Sequence, residues 1–471
     1  RGKNDRREVA NCPWDDEESD QTRHLSRQRR HDDCLRKEEK ALTTKTYEGN
    51  VSVPEQDLSE HHYEELDTIW LEERSQANVF SQPLRGVLGF FLTFGVFMAI
   101  WYVFMDPRGI LQWYTPMYGY MYIRWLLIVA IWQAYIFNFW PFKHSWVEKT
   151  HPLIKGPLFI GINWAVTGAL IWGGFFWLIG KYSIPYFSWP ELHKIGMTDF
   201  FAREYAGLAV LMVAAIASWL APVWPMAFEN WPWHKLDQPA KGFTVFMLTG
   251  LLTIAVYFFF MHPHYMVLFY PWQKFAAAFP WWYETAKTLS GNYNVGWIMC
   301  GTIAVWLVET IWERYPFRLI KSQPWRGIAG FAWILFVALL MFNTFNLMQD
   351  LAWGPAYEGG KRLYAPDWRY LHSGELAVMM LLPALVLYFY FDNWPKKFST
   401  EVNLAIRTII VVGGTFLFNF IYYQISPPLL GTQPGYSHPQ QFPMAPVILW
   451  IVVMLYHNWF MDGWPGKKLK K

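Results

Sequence analysis

The sequence predicts an all-α integral membrane protein with about ten transmembrane helices, arranged as five tandem parallel hairpin repeats behind a polar N-terminal cytoplasmic tail. Three observations carry this prediction: the composition, a series of long apolar runs, and a short motif that recurs five times. Of the 471 residues, 53% are hydrophobic and 16% are charged, whereas soluble domains carry roughly 25% charged residues. The 30 Trp residues suit anchoring at both membrane interfaces.

The first 80 residues differ from the rest. Residues 1–60 are polar with little apolar periodicity, which predicts a mostly disordered tail. In residues 61–80, Leu66, Ile69 and Trp70 can share one face, which predicts an amphipathic helix on the membrane surface. Residues 1–80 hold 20 acidic and 13 basic residues, and the remainder holds 17 acidic and 27 basic residues.

From residue 81 to 471, which we assign to the transmembrane domain, apolar runs of about 20 residues recur, long enough to cross a hydrocarbon core of about 30 Å. Because backbone amides cannot stay unpaired in lipid, these runs are predicted to be helices. The alternating ten-residue segments of a β-barrel are not seen. The predicted spans are 84–105, 119–139, 157–179, 205–225, 242–261, 295–313, 327–347, 374–391, 405–424 and 443–460.

The basic residues predict an orientation. Loops after the even-numbered spans hold more Lys and Arg, in fewer residues, than loops after the odd-numbered spans. The first set is therefore expected to be cytoplasmic, with both termini on that side of a bacterial-type inner (plasma) membrane. This bias accounts for the basic excess, so the lipid bilayer is the expected partner and nucleic acid is not indicated.

A four-residue motif ends every even-numbered span: a carboxylate or its amide, any residue, an aromatic, then proline. Proline suits the end of a helix, and Trp suits the membrane interface. A second motif, Gln-Pro-x-base-Gly, opens the spans after Gln82, Gln238 and Gln323, with weaker copies around Lys155 and Arg407. The repeats run roughly over 81–141, 150–232, 237–316, 322–395 and 400–465, and each holds two helices, so they are parallel.

The charges of these two motifs oppose their helix dipoles, and ion pairing would relieve both mismatches. The expected pairs are Glu229 with Lys241, Glu313 with Arg326 and Asp392 with Arg407. Asp462 and Arg85 are the remaining candidates of the same motifs. These pairs are interpreted as clamps between hairpins, and the alternative is a ring of gating charges.

Glu309 is the main candidate for a coupling or gating acid. It lies one turn before Glu313 in the sixth span, and two like charges so close raise the pKa of one of them. Ionisable groups at depth in a membrane are functional candidates by default. The alternative is an ordinary hydrogen bond near the interface.

The outer loops supply candidates for a vestibule. They are long and aromatic, and three interpretations stay open: a packed cap, a docking surface for a partner subunit, and a vestibule for an apolar or aromatic ligand. The polar residues in or near these loops are Arg124, Arg203, Glu204, His262, His264, His372 and Glu375.

The sequence contains no nucleotide-binding loop, dinucleotide fingerprint or HExxH, and no metal or catalytic site can be assembled from it. Cofactors stay unassigned, and an enzyme is disfavoured. The leading hypothesis is a transporter or channel-like permease for a small, apolar or aromatic solute. The alternative is a non-catalytic subunit of a larger respiratory, photosynthetic or enzyme complex, which binds lipid, quinone, pigment or partner helices. A protein partner or a homo-oligomer fits either hypothesis.

Overall fold

The computed structural model describes residues 79–143, 145–262, 277–278, 280–281, 283–284, 291–354, 357–358, 361–362, 366–432, 440 and 442–467. They belong to one compact unit, Gln76–Lys471. The predicted tail (1–60), the predicted amphipathic helix up to residue 78, His264 and much of the aromatic outer loops lie outside the described residues.

Helices dominate the described residues, which confirms the all-α class. The α-helices of twelve residues or more are α1 (Leu84–Ile100), α2 (Tyr118–Ile131), α3 (Pro152–Gly168), α4 (Asp199–Ala227), α5 (Ala240–Phe260), α6 (Gly291–Thr310), α7 (Trp325–Trp353), α8 (Pro366–Phe391), α9 (Thr400–Leu430) and α10 (Met444–Leu455). Wider π-helical turns continue four of them, at Trp101–Met105, Trp132–Ile136, Ala169–Gly180 and Tyr456–Phe460. A two-residue antiparallel pair, Tyr357–Glu358 with Lys361–Arg362, is the strand pair among the described residues.

Seven helical segments are long and apolar enough to cross a membrane. They are Leu84–Met105, Pro152–Gly180, Asp199–Ala227, Ala240–Phe260, Trp325–Ala352, Arg369–Phe391 and Thr400–Leu430. The helices α2, α6 and α10 are outside this set. All three are almost entirely buried among other helices, so their outer faces need not be matched to lipid.

The helices form two layers, and successive helices along the chain alternate between them. In its most apolar part, α4 has 94% of its residues buried, against 17% for the segment that begins with α1 and 22% for α5 and α9. The odd-numbered helices carry most of the exposed apolar side chains, such as Phe91, Leu251, Phe336 and Phe420. Even-numbered helices are therefore the inner layer, and odd-numbered helices are the outer layer.

The inner helices pack in a closed ring. The order is α2, α4, α6, α8 and α10, and α10 packs back against α2. The outer helices lie over grooves between inner neighbours: α5 packs on α4 and the last turns after α2, and α1 packs on α8 and α10. Each outer helix therefore packs mainly against inner helices other than the one that follows it in the chain, although α7 also packs on α8, which follows it.

The five motifs share one backbone conformation. The acid or amide and the residue after it both have positive φ: 48° and 58° at Asn138 and Phe139, 52° and 61° at Glu229 and Asn230, and 53° and 69° at Asp462 and Gly463. Glu313–Arg314 and Asp392–Asn393 repeat the pattern, and each following aromatic–proline peptide is cis. Two consecutive residues with positive φ end the helix and turn the chain. We call the end of the bundle that carries these turns the motif end, and the opposite end the loop end.

Candidate functional site

Ion pairs at the motif end join inner helices to outer helices. Arg326 binds both carboxylate oxygens of Glu229 at 2.9 and 3.0 Å. Lys155 binds Asp462 at 2.8 Å, and Arg407 binds Glu313 at 2.6 Å. A fourth pair joins Arg85 to Asp392. In every pair the base lies in the first turns of an outer helix and the carboxylate follows an inner one.

The structure corrects the expected partners. Glu229 binds Arg326 rather than Lys241, Glu313 binds Arg407 rather than Arg326, and Asp392 binds Arg85 rather than Arg407. The expected pairs joined each motif to the outer helix that follows it directly. That helix instead packs between the two inner helices that come before it in the ring. Its base therefore lies beside the motif of the earlier of these two helices. The other residues predicted for these pairs all form ion pairs, whereas Lys241 has no carboxylate partner among the described residues.

The glutamine of the opening motif reinforces the same contacts between an outer and an inner helix at the motif end, which we call the seams. Gln82, Gln238 and Gln323 donate from Nε2 to the carbonyl oxygens of Tyr390, Ile136 and Ala227, at 2.6, 2.9 and 3.2 Å. Each Oε1 accepts the backbone N–H of the motif glycine, at 3.0 to 3.3 Å. One side chain thus satisfies a carbonyl at an inner helix end and an amide at an outer helix start, where neither has an intrahelical partner.

The motif glycine is required by close approach. A Cβ on Gly86 would lie 2.8 Å from the Tyr390 carbonyl oxygen, and one on Gly242 would lie 2.6 Å from the Phe137 ring. The backbone of the outer helix therefore lies directly against the end of the inner helix.

Glu309 is also paired at the motif end. Arg314 donates to both of its oxygens, from Nε at 2.8 Å and Nη2 at 2.9 Å, and reaches Glu229 at 3.5 Å. Glu313 faces Arg407 and lies 3.6 Å from Arg318. The two carboxylates are therefore each compensated by arginine. A coupling or gating role for Glu309 and Glu313 stays a prediction.

The inner ring encloses a buried arginine. Arg124, in the second turn of α2, is 0% exposed. Its Nη2 donates to Ser218 Oγ on α4 at 2.5 Å and lies 3.5 Å from Met299 Sδ on α6. Nε and Nη1 have no hydrogen-bond partner among the described residues. The sequence placed Arg124 at an outer vestibule, but the structure places its side chain among three inner helices.

Polar groups of other inner helices surround this arginine. Ser218 Oγ lies 3.3 Å from Thr302 Oγ1 on α6. Tyr120 adjoins the guanidinium and donates to Met444 Sδ on α10 at 3.6 Å. Glu375 on α8 is 4% exposed, and Tyr120 lies within the electrostatic reach of both Glu375 and Arg124. Four inner helices, α2, α4, α6 and α8, therefore contribute polar side chains to one region, which we call the inner polar site (Tyr120, Arg124, Ser218, Thr302, Glu375).

The two carboxylate oxygens of Glu375 differ in their hydrogen bonding. Its Oε2 is bonded to His372 Nδ1, whereas Oε1 has no partner among the described residues. His372 and Glu375 were predicted as outer candidates, and the structure brings them together three residues apart on α8. Ser218 and Thr302 were not singled out from the sequence, because a lone hydroxyl in an apolar helix gives no signal of which face it occupies.

The remaining loop-end candidates are dispersed. Arg203 pairs with Asp199 at 2.9 Å and stacks over Trp189 at 4.6 Å. Glu204 is buried and accepts the backbone N–H groups of Met117 and Tyr118, both at 3.2 Å, so it caps the start of α2. These contacts position helices and do not form one site.

His262 follows α5 and hydrogen-bonds Tyr186, with 2.6 Å between Nδ1 and the hydroxyl oxygen. Burial lowers the pKa of His262 from its ordinary value. Across the residues that the structure describes, no three His, Cys, Asp or Glu side chains are grouped as metal ligands.

Below the inner polar site, aromatic side chains fill the ring towards the motif end. Trp306 on α6 stacks on Trp459 after α10 at 5.9 Å between ring centroids. Tyr135 contacts both rings, at 6.0 and 5.2 Å, and Phe389 on α8 lies 6.4 Å from Trp459. We call these four residues the aromatic plug.

Comparisons with protein-family models, with curated proteins and with solved structures gave no match to this chain.

Proposed function

We propose that the protein is a membrane transporter for a small anionic or zwitterionic solute, with Arg124 as its binding group. The observation that carries the proposal is a fully buried guanidinium with two nitrogens that have no partner among the described residues. A charge inside a membrane domain is costly, and such residues mark solute or ion pathways. A guanidinium also matches the planar geometry of a carboxylate and binds it through two parallel hydrogen bonds.

Glu375 extends the proposal to zwitterions. Its unpartnered Oε1 would accept a hydrogen bond from an ammonium group, while Arg124 holds a carboxylate. Ser218 and Thr302 add hydroxyl groups beside the guanidinium. This substrate differs from the apolar or aromatic solute expected from the outer loops, which lie largely outside the described residues.

We further propose that the ten helices are ten spans in five parallel repeats around a pseudo-five-fold axis. Support comes from the shared backbone conformation of the five motif turns and from the closed ring of inner helices. The ion pairs add support, because each joins a motif to the second outer helix after it rather than to the next one. The inner polar site would lie inside this ring, and the aromatic plug would close it towards the motif end. Following the basic residues, that end would be cytoplasmic.

The second candidate is a non-transporting subunit of a larger membrane complex. The aromatic plug favours it, because its four side chains contact one another between the inner helices towards the motif end. In this case Arg124 would stabilise the inner helices through Ser218 rather than bind a solute.

Transport is tested in proteoliposomes by solid-supported membrane electrophysiology, with a panel of acidic amino acids and small mono- and dicarboxylates, whose movement carries net charge. We expect a current with at least one of them, lost by about 100-fold or more in Arg124→Met. The control is Lys194→Gln, which removes an exposed cation near the start of α4. An unchanged current in Arg124→Met would refute the assignment of Arg124.

Stability separates the two candidates. An unpaired buried charge opposes folding, so its replacement by an apolar side chain of similar volume is neutral or stabilising. We expect Arg124→Met to unfold at the same temperature or higher while transport is lost. A lower unfolding temperature, together with a fixed partner retained in native mass spectrometry and no current from the unsubstituted protein, would favour the subunit.

A further inference from the structure

Lys241 occupies one of the five equivalent base positions at the motif end, and at this position alone the corresponding motif residue is an amide rather than an acid. At the other four positions, Arg85, Lys155, Arg326 and Arg407 each bind a carboxylate. The residue that corresponds to those carboxylates is Asn138. In the part of the chain that the structure describes, the Lys241 ammonium group has no ion pair.

The backbone of this position matches the others, so only the negative charge is absent. Asn138 has a φ of 48°, and the corresponding Asp392 and Asp462 have 51° and 53°. Gln238 makes the same two hydrogen bonds as Gln82 and Gln323. The position is therefore built to place a base beside an acceptor, and this chain leaves the base unneutralised.

Lys241 has two basic neighbours, Lys235 and His234. Exposed Asp237 lies one turn before Lys241 and forms no ion pair with it among the described residues. Lys235 is exposed and His234 is half-exposed. Both Lys235 and Lys241 lie close enough to His234 to repel a positive charge on its ring. Burial first, and then Lys235 and Lys241, lower the pKa of His234. Glu229 opposes this effect, but its oxygens are bound by Arg326 and approached by Arg314.

An apolar surface runs from Lys241 along α5. Phe243, Met247, Leu251 and Ile254 are 50 to 60% exposed on this outer helix. Trp140 is also exposed and lies 6.4 Å from Phe243 between ring centroids. A cation at a helix start, an interfacial Trp and an apolar helix face together match the headgroup and acyl chain of one lipid.

We propose that Lys241, with Lys235 and the Asn138 amide, binds the phosphodiester of an anionic phospholipid, whose acyl chain lies on the exposed face of α5. The phosphate supplies the negative charge that a carboxylate supplies at the four other positions. The acyl-chain surface favours a lipid over a soluble phosphate. The site is independent of solute transport, because it lies on the outer layer at the motif end.

The test uses the full chain in nanodiscs made from equal amounts of phosphatidylglycerol and phosphatidylcholine, followed by native mass spectrometry of retained lipid. We expect the unsubstituted protein to retain phosphatidylglycerol preferentially. Lys241→Gln should reduce that preference roughly five-fold, the effect of one cation at a membrane surface.

The decisive variant is Asn138→Asp, which keeps Lys241 and gives it an internal partner. Because aspartate occupies the same conformation at 392 and 462, this variant should fold and should lose the preference as Lys241→Gln does. The control is Lys155→Gln, the equivalent lysine that already has a carboxylate; it should retain phosphatidylglycerol.

Three outcomes would overturn the proposal. The first is full retention of phosphatidylglycerol by Asn138→Asp. The second is equal retention of phosphatidylcholine by the unsubstituted protein. The third is displacement of the lipid by millimolar inorganic phosphate, which would assign the site to a soluble anion.

Discussion

Arg85 is bound to Asp392, which lies 307 positions later in the chain. Lys155 and Asp462 are separated by the same interval. The two pairs attach the first two outer helices to the last two inner helices, so the seams of the bundle continue between the two ends of the repeat array. No pairing between neighbours in sequence could do this.

Asp392→Asn is expected to lower stability modestly. Arg85 has a side chain that is 8% exposed and would lose its partner, but Asp392 is 46% exposed, so solvent screens the pair. We expect a loss of about 1 kcal/mol, measured as a lower unfolding temperature in detergent. In a double-mutant cycle with Arg85→Gln, the losses should be less than additive; additive losses would show that the two residues act separately.

Glu309→Gln tests coupling. Neutral Glu309 would bind Arg314 less strongly, and Arg314 also contacts Glu229, which holds Arg326. Loss of the Glu309 charge would therefore loosen a chain of contacts at the motif end. On the transporter proposal, we expect the variant to fold and its transport current to lose dependence on a proton gradient; a current that still follows the gradient would exclude Glu309 as the coupling acid.

Trp306→Leu should open the aromatic plug. The indole is buried and stacks on Trp459 at 5.9 Å, so a smaller side chain leaves a gap in the inner ring. We expect faster passive leakage of small solutes from proteoliposomes, followed by light scattering. Trp325→Leu, which changes an exposed Trp of α7, serves as the control. Equal leakage from both variants would mean that the plug does not close the ring.

Gly296→Ala should destabilise the contact between α6 and α8. A Cβ there would meet the carbonyl oxygen of Tyr370, which belongs to the α8 backbone and cannot rotate away. We expect a loss of about 1–3 kcal/mol in the free energy of unfolding. Gly250→Ala on the outer helix α5, where a Cβ meets nothing within 4 Å, should show no loss. Similar unfolding temperatures for both variants would contradict the close approach of α6 and α8.

His262 predicts a pH dependence of stability. Because burial lowers its pKa in the folded protein, the neutral form is favoured by folding. Its contribution is present above the unfolded pKa of about 6.5 and is lost as the pH falls below that value towards the folded pKa. The unfolding temperature should therefore fall on acidification below pH 6.5, and less so in His262→Gln. Parallel curves would assign the dependence to other groups.

Much of the secondary structure could be predicted from sequence, because lipid imposes length and hydrophobicity on each span. The predicted span 84–105 coincides with Leu84–Met105, and most others differ at their ends, as with 205–225 inside α4. Prolines, acids and aromatics at fixed spacing marked the motif turns, since only residues with local conformational consequences recur at fixed spacing.

The contacts between repeats could not be predicted in the same way. Glu229 meets Arg326 rather than Lys241 because of where the outer helices lie on the ring, and no local pattern encodes that position. Arg124 was misplaced for a related reason. Apart from Arg124, the residues of α2 from Ile123 to Ile131 are apolar on every side, so periodicity does not show which face of the helix turns inward.

The backbone N–H of Val79 donates to the carbonyl oxygen of Gly466 at 3.1 Å, so the chain before α1 and the chain after α10 meet at the motif end. Joined there by a short linker and opened instead between Lys321 and Gln323, the chain would carry the same helices with the same neighbours. Such a circular permutant would begin at α7 and still close every seam, because the ring has no structural beginning.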